Sequence, residues 1–356
     1  MGQIVGMSAC AHGGIYSVDH NLVKLDFSSS VNPLGTPPRA LREIARRAKE
    51  LSPRYPDPEC IELKKSLGEY LKVDPSWLVV GNGAIEIIYW FAQAFARKQA
   101  VVPSPTFCEY ELASKKAGSS VSFVPSRQFA LDPDAIIKQA RGADALYLCN
   151  PNNPTGLLAT AEIKKVLENS DRHTMVLLDE CFIELVADSA KNSFIERIGE
   201  FGNLVILRSL TKSFGLAGLR VGYACCSPSV AEKLKKYRIP WNVNGLAQAA
   251  GIAALSDSTH LKRARAIISR ERRFLHEKLL RLAPIVPLNS DVNFFMLNLG
   301  GRDSTEFRDT LLEKTGVLVR DCSTFAGMDS HHARIAVRTR KENLRLLRAL
   351  EVVADG

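Results

Sequence analysis

The chain has 356 residues, 46% of them hydrophobic, enough for a substantial core and more than one structural unit. No apolar run reaches the roughly 20 residues that cross a bilayer. The start MGQIVGMSACAHGG has neither a basic-then-apolar secretion signal nor a myristoylation pattern, so a cytoplasmic location is the expectation. The formal charge of +9 suits an enzyme that gathers anionic ligands. Zinc-finger, RNA-recognition and basic-aromatic patterns are missing, which argues against a nucleic-acid partner.

Residues 1–36 read as an N-terminal arm that ends in the turn-rich NPLGTPP. ALREIARRAKEL and ECIELKKSLGEYL follow with apolar residues at helical spacing. Short β-rich runs then alternate with helices: WLVV (77–80), AVVP (100–103), VSFV (121–124), ALYLC (145–149), MVLLDE (175–180), LVILRS (204–209) and LRVGYACC (219–226). Asp132-Pro133 is a cap and first-turn pair for a helix. Near-continuous apolar strands between helices predict an α/β fold with a mostly parallel sheet covered on both faces.

Past residue 240 the pattern changes. A helical stretch over roughly 244–282 precedes NFFMLNL, a helix near 303–314, VLVR, RIAVR and a last helix. That helix opens on the capping box Thr339-Arg340-Lys341-Glu342. The expected division is an arm (1–36), a large domain (37–243) and a smaller α+β domain (244–356). The basic run KRARAIISRERR (262–273) reads as a solvated helix face. The eight cysteines, irregularly spaced and without CxxC, read as buried free thiols rather than a metal site.

The chemistry concentrates in SLTKSFGLAGLRVGY (209–223). Lys212 sits at the end of an apolar strand between hydroxyl residues, and Arg220 follows at a glycine-rich turn. A desolvated lysine can attack an aldehyde, while hydroxyls and a guanidinium suit a phosphate monoester. NPNNPTG (150–156) follows one strand, and Asp179 ends another. GNGAIE (81–86) joins a strand to a helix, whose N-terminus makes a natural phosphate cradle.

In these segments the chain resembles fold-type I pyridoxal-phosphate enzymes of the aspartate aminotransferase superfamily, along almost its full length. The resemblance implies pyridoxal 5'-phosphate as cofactor, with Lys212 as its Schiff-base residue. Ser209, Thr211, Arg220, Gly83 and Ala84 would hold the cofactor's phosphate. Asn153 would bond the phenolic oxygen, Asp179 the pyridine nitrogen, and Phe107 would stack on the ring. Tyr55 in RYPDP would reach the phosphate of a neighbouring subunit, which implies a homodimer. The family usually has Tyr where this chain has Phe182.

Two branches resemble it best: threonine-phosphate decarboxylases and histidinol-phosphate aminotransferases. AHGGIY (11–16), LDFSSSVNPLG (25–35), PTFCEY (105–110), LVRDCSTFAGM (318–328) and RIAVRTRKEN (334–343) resemble the decarboxylases, whereas SFGLAGLR looks as much like the aminotransferases. The decarboxylase resemblance implies a small phosphorylated amino-acid substrate. Arg334 would grip its carboxylate, and Arg320 and His12 its phosphate. Asn32 would line the substrate pocket. It places the product, 1-amino-2-propanol O-phosphate, in cobalamin synthesis.

Overall fold

A computed structural model describes residues 12–354, and the first eleven residues, Cys10 among them, lie outside the described residues. The strands are β1 (Leu25–Asp26), β2 (Leu78–Gly81), β3 (Gln99–Ser104), β4 (Ser120–Pro125), β5 (Ala145–Cys149), β6 (Met175–Asp179), β7 (Leu204–Ser209), β8 (Gly222–Cys226), β9 (Val286–Pro287), β10 (Phe294–Asn298), β11 (Val317–Leu318), β12 (Arg320–Asp321) and β13 (His332–Ala336).

Seven of them form the central sheet, in the order β2-β8-β7-β6-β5-β3-β4. The expected mostly parallel sheet is borne out. β8 is the exception, running antiparallel to both β7 and β2. The β7–β8 link holds only the four-residue helix Leu210–Ser213, too little to carry the chain back to the far end of the sheet. β5 and β7 are buried along their whole length and β6 nearly so, because helices cover both faces.

One edge of this sheet positions the site. β6 ends there at Asp179 and β7 at Ser209, and the antiparallel β8 starts there opposite Ser209 and Gly81. Open α/β sheets bind ligands at this carboxyl edge.

The second sheet has the order β12-β13-β10-β9 and is antiparallel. It shares a core with helices Ser304–Thr315 and Arg340–Ala354. At the start of the latter, the Thr339 N–H donates to Glu342 at 3.1 Å, the expected return bond of the capping box.

Two boundaries differ from expectation. The arm is not separate: β1 pairs with β11, and Leu25 and Phe27 join the small core. The predicted 244–282 helix is two, Gly245–Leu255 and His260–Leu279, broken where the Asp257 side chain accepts the Thr259 N–H. The first packs in the large core with Leu63. The second carries Leu261, Ala264 and Ile268 in the large core but Leu275 and Leu279 in the small one. Packing therefore passes from the large core to the small one inside that helix. Of its basic residues, Lys262, Arg263, Arg270 and Arg273 are exposed, as a solvated face requires, whereas Arg265 and Arg272 are half-buried and Arg265 donates to the Glu184 carbonyl at 3.1 Å.

Candidate active site

The Ser209 hydroxyl caps the short helix after β7, accepting from the Thr211 N–H at 3.3 Å. The next residue is Lys212. Its ammonium stands 5.7 Å from the centre of the buried Phe182 ring. Burial, then the nearby Arg334 guanidinium, pull the Lys212 pKa down from 10.5 to about 8. The lysine is thus easily made neutral and nucleophilic.

Asp179 is 6% exposed and firmly held. Tyr110 donates its hydroxyl to Oδ2 at 2.7 Å, and the Cys181 backbone N–H donates to Oδ1 at 2.8 Å. Burial raises its pKa, and these bonds act in the opposite direction. A carboxylate so placed needs a partner carrying positive charge.

Opposite it, Ser209 and Thr211 share a hydroxyl–hydroxyl bond of 2.6 Å. The Arg220 guanidinium lies against Gly83, so close that a Cβ on that glycine would come within 2.5 Å of it. Gly83 has φ +80 and Arg220 itself φ +61, both left-handed. Two hydroxyls, a guanidinium and the N-terminus of helix Ala84–Phe95 thus face one space.

Across the cavity, Arg320 and Arg334 are direct cross-strand partners on β12 and β13, 6% and 7% exposed. Arg334 donates to Asn153 Oδ1 and to the Ser28 carbonyl, while its Nε is buried with no protein acceptor. Burial above all, with Arg320 adding to it, lowers the Arg334 pKa to about 10. Arg320 donates to Thr324 Oγ1 at 2.8 Å and lies 5.1 Å from the Phe325 ring centre. Like charges set directly opposite oppose folding, and an anion bound beside them relieves that repulsion.

One cavity of about 220 Å³ joins these groups. It has room for a ring-sized ligand, since a single water needs only about 10–15 Å³ of such space. Lys212, Asp179, Asn153, Ser209, Thr211, Arg220, Ala84, Phe107, His12, Arg320 and Arg334 all line it. Asn32 does not. Contrary to the expectation of a pocket residue, its side chain is turned inward, donating to the Ser213 carbonyl and accepting from the Leu34 N–H. Its backbone N–H donates to the Lys212 carbonyl, so Asn32 braces the lysine segment. Tyr55 is 83% exposed, packs at a tilt against Trp241 with ring centres 4.9 Å apart, and does not line its own chain's cavity.

The sequence reading missed Tyr110, Ser28, Ser29 and Ser30, although PTFCEY and LDFSSS contain them. The expectation of free thiols also needs correction. Cys60, Cys149, Cys181, Cys225, Cys226 and Cys322 are free and buried, but Cys108, which lines the cavity, is disulfide-bonded. No group of three or more His, Cys, Asp or Glu among the described residues could hold a metal.

The model of the aminotransferase class I and II family matches residues 23–350. The chain belongs to that family. Its members depend on pyridoxal phosphate, and the fold is that of the fold-type I transferases. A protein of Caldanaerobacter subterraneus subsp. tengcongensis, provisionally named threonine-phosphate decarboxylase, is 37% identical, covering 97% of this chain and 94% of its own. A histidinol-phosphate aminotransferase of Symbiobacterium thermophilum is 36% identical, covering 93% and 90%. Among solved structures, the histidinol-phosphate aminotransferase of Clostridium acetobutylicum superposes with a TM-score of 0.87 at 33% identity, covering 93% and 99%. Identity does not separate the two branches.

The residues present fit the family's cofactor. The absence of a Cβ at Gly83 lets the Arg220 guanidinium sit against the turn, beside Ser209, Thr211 and Ala84 on the cavity wall, and a buried carboxylate and a lysine of lowered pKa line the same cavity.

Proposed function

We propose that this protein decarboxylates L-threonine O-3-phosphate to (R)-1-amino-2-propanol O-phosphate, a step of cobalamin synthesis in the cytoplasm. The observation that carries this reading is the buried pair Arg320 and Arg334 on one wall, with His12 at the mouth. Threonine phosphate brings a carboxylate and a phosphate on one small molecule. Histidinol phosphate brings a phosphate and no carboxylate, so in transamination Arg334 would meet a carboxylate only in the half-reaction with glutamate and 2-oxoglutarate, whereas threonine phosphate engages both arginines at once.

Pyridoxal phosphate, when bound, supplies an aldehyde carbon and a conjugated ring that accepts the electron pair released at Cα. Ser209, Thr211, Arg220 and the Gly83–Ala84 turn would hold its phosphate. Asp179, fixed by Tyr110, would hold the ring nitrogen protonated. Asn153 accepts from Arg334 through Oδ1, which leaves its amide N–H groups for the phenolic oxygen. Arg334 grips the substrate carboxylate in a bidentate manner, and Arg320 and His12 take its phosphate. Two fixed anions set the orientation of the bonds at Cα, and remote phosphate binding supplies the orienting energy. Lys212, with a pKa of about 8, can give or take a proton near neutral pH.

Phe182 agrees with this reading, because it puts an apolar ring where the aminotransferases usually carry a tyrosine hydroxyl. Transamination of histidinol phosphate is the competing reading, favoured by the SFGLAGLR segment and by the fold likeness above. Pyridoxal-phosphate-loaded protein should release CO₂ from L-threonine O-3-phosphate and make no glutamate from histidinol phosphate with 2-oxoglutarate. The reverse result would replace the first reading by the second. As a homodimer, the protein would present Tyr55 to its neighbour's cofactor site.

A further inference from the structure

Glu109 is 6% exposed, yet it does not line the cavity. Both of its oxygens are committed: Oε1 to His12 Nε2 at 2.6 Å, and Oε2 to the Tyr89 hydroxyl at 2.9 Å. The bond from His12 is the main reason its pKa is lowered. His12 belongs to the arm, and its ring also lies 6.0 Å from that of Phe107 on the cavity wall. With Nε2 engaged, Nδ1 is the ring nitrogen left for a ligand.

The next arm residues are fastened on the other side. The Gly14 N–H donates to Ser28 Oγ at 2.8 Å, and that hydroxyl donates to Asp26 Oδ1 at 2.6 Å. Gly13 lies so close to Ser28 that a Cβ would come within 2.7 Å of its carbonyl oxygen. That same oxygen accepts from Arg334 at 2.9 Å. The arm therefore spans the cavity mouth from Glu109, beside the large core, to Ser28 and Arg334, beside the small one.

We propose that Glu109 is a positioning residue that latches this arm and aims His12 at the substrate phosphate, so that the site selects phosphorylated amino acids. The inference rests on reading His12 as a phosphate ligand. A half-exposed histidine on an arm samples several rotamers, and ordering it costs entropy with each binding event. A buried carboxylate that already holds the ring removes that cost beforehand.

The test uses holoenzyme of wild type, Glu109→Gln, His12→Ala and the double variant. Cofactor absorbance is titrated with L-threonine O-3-phosphate and with L-threonine. A charge-assisted bond is worth about 1.5–3 kcal/mol, so Glu109→Gln should weaken the phosphorylated ligand roughly 10- to 100-fold. L-Threonine should shift by less than about threefold, and the double variant should bind no more weakly than His12→Ala. In turnover the loss should appear in KM far more than in kcat. Equal loss for both ligands, no loss, or losses that multiply in the double variant would overturn the proposal. The reaction assigned above fails separately, if wild type releases no CO₂ while the titration still reads binding.

Discussion

At the scale of single residues, the tightest constraint falls on Lys212. Its pKa is about 8 in the folded chain against 10.5 for a free lysine. Below pH 8 both states hold the proton, and the folded state bears the full cost of a buried ammonium. Between pH 8 and 10.5 the unfolded chain holds more protons, so stability rises with pH at this group. Lys212→Met should therefore stabilise the cofactor-free protein by about 1–3 kcal/mol at pH 7 while abolishing turnover. Denaturant unfolding of both proteins at pH 7 and pH 10 checks this: the gain must shrink at the higher pH, and a constant gain would refute the account. Lys212, Asp179 and Asn153 were legible in the sequence because each stands at or just after the end of an apolar strand, inside a distinctive segment. Asn32 was just as visible, but the bonds its side chain makes were not. Whether an Asn-Pro turn faces a pocket or braces a neighbouring loop depends on Ser213, 181 residues away. Tyr110 stood in plain view in PTFCEY, yet nothing local shows that its hydroxyl meets Asp179.

At the scale of elements, the site depends on how closely β8 approaches the start of helix Ala84–Phe95. A Cβ on Gly222 would come within 2.4 Å of the Ala84 nitrogen and 2.8 Å of the Gly83 carbonyl carbon. Both are backbone atoms and cannot yield cheaply. Gly222→Ala should cost about 1–3 kcal/mol or more and weaken pyridoxal phosphate binding, because the cradle is pushed open. Gly218→Ala, with open space around its Cβ, should stay within about 0.5 kcal/mol. Urea midpoints and cofactor titrations on the two variants decide it, and equal effects would mean that the close approach is irrelevant. Strand positions were readable from apolar runs, but the direction of β8 was not, since a buried strand looks alike either way. The short, glycine-rich link from β7 was the available signal. The handover of helix His260–Leu279 from one core to the other was equally hidden, because its apolar stripe continues unbroken from Leu261 to Leu279.

At the scale of the whole molecule, Tyr55 poses the sharpest question. It is 83% exposed and paired with the half-exposed Trp241, and Ile239, close to Trp241 in the chain, is 71% exposed. Large apolar side chains gathered in this way mark an interaction surface. In a two-fold dimer the same surface meets its copy, and a residue of one subunit can complete the site of the other. Mixing two variants, each assayed alone first, separates the alternatives. Lys212→Ala lacks the lysine but keeps Tyr55, and Tyr55→Ala has the reverse defect. If Tyr55 serves the neighbour, each mixed dimer contains one wholly intact site and one doubly defective site. Random reassortment makes about half of the dimers mixed, so activity should recover to about a quarter of wild type. If Tyr55 serves its own chain, or no site at all, mixing yields nothing beyond the sum of the two parents. Size-exclusion chromatography of the mixture shows whether the subunits have associated, and activity after reassortment then shows whether the cofactor site is shared.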